Sequence, residues 1–266
     1  MVYRTKAYAK VNIGLKITGK RDDGYHTLSS YFLLVPFFDE ISLLITDGRE
    51  TTVEGNGGYL TSGEDLMARA VRLYRNKTGL EFGTLINIKK NIPVKAGMGG
   101  GSSDASAVLR LLNDHFHSLT DEEMLSLSSA VGADVPFFTS RLRFARVEGK
   151  GEIIKERAFP SRYRYITLFR ADNSGTDTGE AYRRLDALEL DLRPLGDITY
   201  PLTRSSFPND FEKIEGTALC ERLKESIGED DYLSLTGSGS VWFLLSKEKW
   251  TGRDDSFIAT EKLFVD

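Results

Sequence analysis

The sequence predicts an α+β fold in two lobes. Three observations carry this reading. Helical and strand periodicities occur in both halves of the chain. They do not follow the regular β-α-β alternation that a parallel, doubly wound sheet requires. The pattern also breaks over 157–163, at Pro160, which divides the chain into an N-terminal domain over 1–157 and a C-terminal domain over 158–266. A length of 266 residues suits one large domain or two small ones, with ample core.

The elements follow in order. Val11, Ile13, Leu15 and Ile17 alternate with Lys10, Asn12, Gly14 and Lys16, which is a half-buried strand. Its other face carries Lys10 and Asn12 side by side, and such a face is either solvated or functional. Residues 20–24, Lys-Arg-Asp-Asp-Gly, form a turn. Tyr25 and His26 then enter a strand over 27–36, and a further strand covers 41–46. Residues 55–63 read as loop. Leu66, Met67, Ala70, Val71 and Tyr74 fall at helical spacing within 64–78, and Gly79 ends that helix. Over 85–89, Ile86 and Ile88 lie on one face of a strand and Asn87 and Lys89 on the other.

The next stretch makes the sharpest chemical suggestion. It reads Pro93, Val94, Lys95, Ala96, Gly97, Met98, Gly99, Gly100, Gly101, Ser102, Ser103, Asp104. Ala105, Val108, Leu109, Leu112 and Phe116 continue at helical spacing, so Ser102 or Ser103 is expected to cap a helix. Strand, glycine loop and helix start together favour an anion, most often phosphate. Glycines let the backbone approach closely, and the free N–H groups and dipole of the helix start are positive. The alternative is a tight turn with no ligand. The stretch is not a P-loop, because Gly101 is followed by Ser102 rather than lysine. Nor is it the dinucleotide fingerprint, which needs a third glycine where Ser102 stands.

Thr120-Asp121-Glu122-Glu123 is a capping box, opening a helix that Gly132 stops after Val131. Asp134 follows among apolar neighbours, either as a turn former or as a carboxylate in a poorly hydrated cleft. A hairpin joins 143–147 to 152–156 around Gly149-Lys150-Gly151. A strand covers 165–170 and a helix containing Tyr182 covers 178–188. The proline-rich 193–208 is a connection. Asn209-Asp210-Phe211-Glu212 opens helix, which continues over 219–227. Strands 232–235 and 241–245 flank a second glycine turn, Thr236-Gly237-Ser238-Gly239-Ser240, and a last helix is expected over 254–264.

Composition narrows the function classes. Hydrophobic content of 40% with 28% charged residues is that of a globular chain. A net charge of −4 argues against nucleic acid as a partner, so any anion must be held by a local site. Cys220 stands alone, which rules out an internal disulfide and suggests a reducing compartment. His115 and His117 are badly spaced on a helix to share a metal. No apolar run is long enough to span a membrane. Met1-Val2-Tyr3-Arg4 leads straight into strand pattern, so the cytoplasm is the expected location.

Three separated motif sets now stand in order: Lys10-Val11-Asn12 with Gly24-Tyr25-His26; residues 93–104 with Gly132-Ala133-Asp134-Val135-Pro136; and Leu235-Thr236-Gly237-Ser238-Gly239. Together they resemble the GHMP kinase superfamily over nearly the whole chain. Arg21-Asp22-Asp23-Gly24-Tyr25-His26-Thr27-Leu28, the run from Gly132 through Phe137 and Phe138, and Asn209-Asp210-Phe211-Glu212 resemble the branch acting on 4-diphosphocytidyl-2-C-methyl-D-erythritol in the non-mevalonate isoprenoid route.

The resemblance implies an N-terminal lobe like the second domain of ribosomal protein S5 and a ferredoxin-like C-terminal lobe. It implies that ATP donates its γ-phosphoryl to the 2-hydroxyl of a small substrate bearing a cytidine diphosphate moiety. By the same resemblance Asp134 takes the hydroxyl proton and Lys10 sits beside it. Residues 93–103 wrap the ATP phosphates, which Asn12 and Lys90 help to hold. Tyr25 and Tyr182 stack on the two faces of cytosine, His26 reads its edge, and Thr178 belongs to the same substrate side. Mg²⁺ accompanies ATP, with Ser103 as its candidate ligand. The protein is expected to be a monomer or homodimer. The sequence departs from the pattern at Asp65, where members commonly carry an asparagine on adenine, at Met98 in place of leucine, and in a short tail after Leu245. The other readings are a GHMP kinase for homoserine, mevalonate or a sugar, and a catalytically silent nucleotide-binding homologue. Tyr25 with His26 argues against the first, and Lys10 with Asp134 against the second.

Overall fold

The computed structural model describes residues 1–55, 65–159, 162–170, 176–215 and 218–264. Most of the loop expected over 55–63, and the break at Pro160, lie outside them. In chain order the elements are β1 (Val2–Lys20), β2 (His26–Thr46), β3 (Thr51–Gly55), α1 (Leu66–Thr78), β4 (Gly83–Lys89), α2 (Gly100–Phe116), α3 (Asp121–Val131), α4 (Val135–Thr139), β5 (Phe144–Gly149), β6 (Ile153–Glu156), β7 (Tyr165–Arg170), α5 (Thr178–Asp186), α6 (Glu212–Glu215), α7 (Ala218–Leu223), β8 (Tyr232–Leu235), β9 (Val241–Ser246) and β10 (Phe257–Lys262). This is the α+β mixture expected. No described helix is long and apolar enough to cross a membrane.

The chain forms two compact units, each assembled from separate stretches. The first comprises Met1–Ala9, Phe37–Pro93 and Gly99–Leu142; the second comprises Lys10–Pro36, Val94–Met98 and Arg143–Asp266. In the first, residues 40–46 of β2 pair antiparallel with β4, and β3 pairs parallel with β4. Ile41, Leu43, Ile86 and Ile88 form one buried cluster with Met67, Ala70, Val71 and Tyr74 of α1 and Val108, Leu109 and Leu112 of α2. The residues of β4, α1 and α2 among them are the positions that the helical and alternating patterns selected. The capping box of α3 is present, with Thr120 and Glu123 bonding each other's backbone N–H.

In the second unit residues 28–33 of β2 pair with β5, and β5 pairs with β6. A separate four-stranded antiparallel sheet has the order β10-β7-β9-β8. Numbering its strands in sequence gives 4-1-3-2, the ferredoxin-like order. Phe169, Leu233 and Leu244 from that sheet are buried with Ala181 and Leu185 of α5 and Leu219 and Leu223 of α7.

Three expectations are corrected. The strands at 27–36 and 41–46 are one 21-residue strand, β2. Pro36 did not break it, because it lies between the stretch paired with β5 and the stretch paired with β4, where neither needs its N–H. The last helix expected over 254–264 is instead β10, the edge strand beside β7. The chain from β9 to β10 carries no helix, and Trp250 fills the space by packing on Phe169 and Phe257. Third, neither Ser102 nor Ser103 caps α2: the helix opens at Gly100 with Gly99 as its N-cap and no side-chain cap.

Candidate active site

Lys10 and Asn12 do share one face of β1, as the alternation requires, but that face is not solvated. Lys10 is 3% exposed and Asn12 is fully buried. The Lys10 ammonium donates to Asn12 Oδ1 (2.6 Å) and to the Gly97 carbonyl (2.9 Å), and its backbone N–H donates to the Met98 carbonyl (3.0 Å). The Phe32 ring lies below the ammonium at 4.7 Å. Both ends of the Asn12 carboxamide are engaged. Its Oδ1 also accepts from the Gly237 N–H (2.9 Å), and its Nδ2 donates to Ser30 Oγ (3.0 Å). The Thr236 hydroxyl stands 3.2 Å from both the Gly97 carbonyl and Asn12 Oδ1. Thus the second glycine turn covers the β1 face, and the first glycine loop rests on both.

Positive φ explains the loop's glycines here. Gly97 has φ +72°, and a Cβ on it would lie 2.0 Å from the Thr236 carbonyl oxygen. Lys95 also has positive φ, at 55°. Its carbonyl accepts from the Thr176 N–H (3.0 Å), while the Val94 carbonyl accepts from Arg170 (3.1 Å). Ala96 and Met98 are buried anchors and Val94 is exposed. The Thr178 hydroxyl reaches Ser238 of the second glycine turn at 3.2 Å.

The first unit holds the helix side of the loop. Gly99 has φ +68°, and Gly100, Gly101 and Ser102 form the first turn of the 17-residue α2. With no side-chain cap over them, its leading N–H groups remain available to an anion. Ser103 is buried and donates its hydroxyl to the Tyr8 carbonyl (2.7 Å). Lys90 leads into the loop, half-buried Pro93 follows it, and the Lys90 ammonium binds Asp39 and Asp104 (2.7 Å to the latter). A Cβ on Gly100 would come within 3.3 Å of that ammonium, so the charge stands against the first turn of α2. Burial pushes the Asp104 carboxyl up to about 8; Lys90 opposes the rise and Asp39 adds to it. Burial also disfavours the Lys90 charge, but the Asp104 and Asp39 charges outweigh it and hold the ammonium above its usual pKa.

Asp65 is the N-cap of α1, with Oδ1 accepting from the Met67 (2.7 Å) and Ala68 (3.2 Å) N–H groups. A carboxylate suits a helix start as well as the amide expected there does. Asp134 follows the stop of α3, is half-buried, and does not cap α4 with its side chain.

The candidate base-binding residues lie in the second unit. The His26 ring stacks on Tyr182 with centroids 4.5 Å apart and 16° between planes. His26 Nε2 is 2.6 Å from Asp186 Oδ1, and the Lys20 ammonium binds the other oxygen of that carboxylate (2.6 Å). The hydrogen bond from Lys20, then that from His26, holds Asp186 below the usual carboxylate range. Tyr182 meets Phe211 edge-on. Tyr25 is 60% exposed beside Lys150.

The GHMP kinases N terminal domain family matches residues 65–141, from the cap of α1 through α4. A 4-diphosphocytidyl-2-C-methyl-D-erythritol kinase of Francisella tularensis subsp. tularensis (strain FSC 198) is 32% identical over 91% of this chain and 87% of its own. That of Chlorobium phaeobacteroides (strain BS1) is 33% identical over 91% and 88%. The chain belongs to this family of GHMP kinases. A crystal structure of 4-(cytidine 5'-diphospho)-2C-methyl-D-erythritol kinase superposes with a TM-score of 0.70, at 31% identity over 91% of this chain and 90% of the other. A mevalonate kinase, at 15% identity and a TM-score of 0.65, shares the fold.

Two carboxylates of the kinase escaped sequence reasoning. Asp104 was visible only as the end of the glycine stretch. Asp39 carried a usable signal: it shares strand parity with Val35, Ile41 and Leu43, so a charge stands on the buried face of β2. A buried strand carboxylate needs a partner, and Lys90 is the cation that meets it.

Proposed function

We propose that this kinase transfers the γ-phosphoryl group of ATP to the 2-hydroxyl of 4-diphosphocytidyl-2-C-methyl-D-erythritol, in the non-mevalonate isoprenoid route. The observation that carries the phosphoryl half is the start of α2, where glycines lead into a helix whose first N–H groups no side chain caps. The family supports the acceptor. The hydroxyl oxygen attacks the γ-phosphorus, Asp134 takes its proton, and the β–γ bridging oxygen leaves with ADP. Positioning and charge stabilisation dominate such a transfer, so few groups suffice.

Residues 93–103 supply N–H groups to the phosphates, and Lys10 and Lys90 supply cationic charge. Asn12 acts by position: its amide holds Lys10 and the Gly237 backbone in place. Tyr25, His26, Thr178 and Tyr182 serve the cytidine end, and Asp65 the adenine while capping α1. ATP enters as its Mg²⁺ chelate. Among the described residues no group of three or more His, Cys, Asp and Glu side chains could hold a metal. The Ser103 hydroxyl gives its hydrogen to the Tyr8 carbonyl and keeps its oxygen lone pairs, so it is the group that would ligate Mg²⁺ on ATP; no step is assigned to the ion. We place the enzyme in the cytoplasm, as a monomer or homodimer.

ADP release with separate acceptors tests the reading. It should need the cytidylyl substrate. Turnover with homoserine, mevalonate or a sugar instead would move the enzyme to another branch, and ATP binding without turnover on any acceptor would leave a silent homologue.

A further inference from the structure

The glycine loop of a kinase must be held at both ends if its N–H groups are to meet phosphate in one geometry. The end joined to β4 has an unusual support. Asp39 is fully buried on β2, and its two oxygens do different work. Oδ1 accepts from the backbone N–H groups of Asn91 (2.6 Å) and Ile92 (2.8 Å), the two residues before Pro93. Oδ2 accepts from the Lys90 ammonium, and Asp104, one turn into α2, accepts from the same ammonium. One lysine at the end of β4 is therefore tied to β2 on one side and to α2 on the other, at the entry of the glycine loop.

We infer that Asp39 and Asp104 are positioning residues for ATP binding, holding the Lys90 ammonium and the entry of the glycine loop against the first turn of α2. The inference rests on the proposed kinase reading, in which Lys90 serves the phosphates. Geometry favours it over a merely structural ion pair. Lys90 keeps 11% of its side chain exposed, whereas both partner carboxylates are buried. A lysine stem is flexible and its charge is a point, so a free Lys90 would spread over many rotamers.

Two carboxylates near a phosphate site would ordinarily repel it. The Asp104 carboxyl, raised to about 8 by burial, keeps a proton at neutral pH, so the three groups together carry little net charge. Its Oδ1 is buried without a hydrogen-bond partner among the described residues, as suits a carboxyl that is not fully ionised.

A binding cycle tests this. Asp39→Asn keeps a carbonyl oxygen for the Asn91 and Ile92 N–H groups but turns an NH₂ toward Lys90, so it cuts one anchor and little else. ATP affinity is measured by calorimetry on the full chain for wild type, Asp39→Asn, Lys90→Met and the double variant. Asp39→Asn should weaken ATP about tenfold, a loss in the range of one charge-assisted hydrogen bond. It should leave KM for the cytidylyl acceptor unmoved and add less than about twofold once Lys90 is methionine. Asp104→Leu, which removes the acceptor on α2 at similar bulk, is taken through the same cycle and keeps the test open if Asp39→Asn folds poorly. Equal losses with and without Lys90 would make the carboxylates simply structural and overturn the inference. Tighter ATP binding in Asp39→Asn would show that the carboxylates only dilute the lysine charge, which also overturns it. Wild type that binds no ATP would remove the kinase reading, and this inference with it; wild type that binds ATP with additive losses removes this inference alone.

Discussion

Gly97 and Gly237 leave each other no room for a side chain. A Cβ on Gly237 would lie 2.8 Å from the Gly97 Cα, and one on Gly97 would lie 2.0 Å from the Thr236 carbonyl oxygen. Two glycine motifs far apart in sequence therefore meet backbone to backbone, with Lys10 bonded to the first and Asn12 to the second. Gly97→Ala should destroy this approach, because backbone rather than a flexible side chain must move. We expect a large fall in Tm and loss of nucleotide binding. Gly48→Ala is the control: it has φ +90° but nothing within 4 Å, so it should cost only the left-handed strain of about 1–2 kcal/mol. Equal melting curves for the two variants would mean that the contact is slack.

Asp134→Asn should lower kcat at least ~10²-fold, the usual scale of general base catalysis, with ATP still bound. The amide keeps the shape and removes the base. Its backbone sits before the buried Val135–Thr139 turn, and its side chain does not cap that helix. Near-normal kcat would show that the acceptor hydroxyl needs no base from this residue.

Local physics made much of this legible. The capping box of α3, the alternation of β4 and the spacing of α1 each follow from a period or cap that few residues define. What failed depended on partners. Pro36 read as a strand end until β4 and β5 were seen to pair on either side of it. The stretch 254–264 reads as a last helix by itself, and only pairing with the edge of β7 makes Phe257–Lys262 a strand. At the site, the sequence placed Lys10 beside Asn12 but could not show that Gly237 covers them, because that contact closes a long stretch of chain. Lys90 was legible as a cation before the glycine loop. Its ties to Asp39 and Asp104 needed the packed strand and helix.

Tyr25 and Tyr182 should separate when each is changed to alanine. Tyr25 is 60% exposed, so its loss should leave Tm in place. If it stacks on cytosine at ~1–3 kcal/mol, KM for the cytidylyl substrate should rise roughly 5- to 150-fold with KM for ATP unmoved. Tyr182 packs on His26 and Phe211, so its loss should raise the same KM and lower Tm as well. Parallel damage to both substrates in Tyr25→Ala would assign that residue to packing.

Asp104 should make the fold less stable as pH rises through neutrality. Unfolded, its carboxyl titrates near about 4; folded, burial raises it to about 8. Between those values the folded chain holds a proton that the unfolded chain has lost. The slope of unfolding free energy with pH is then negative. The stability linked to that proton is complete below about pH 4 and is lost progressively up to about pH 8. The lowered carboxyls of Asp186, Glu40 and Glu81 act in the opposite sense, and only as pH falls below the ordinary carboxylate range. The raised Lys90 acts above about pH 10. Melting curves from pH 5 to pH 8 should therefore fall for wild type and flatten for Asp104→Asn, whose amide cannot ionise but can still accept from Lys90. Identical slopes would mean that Lys90 keeps Asp104 ionised throughout, and that the ion pair, not burial, sets the charge of this cluster.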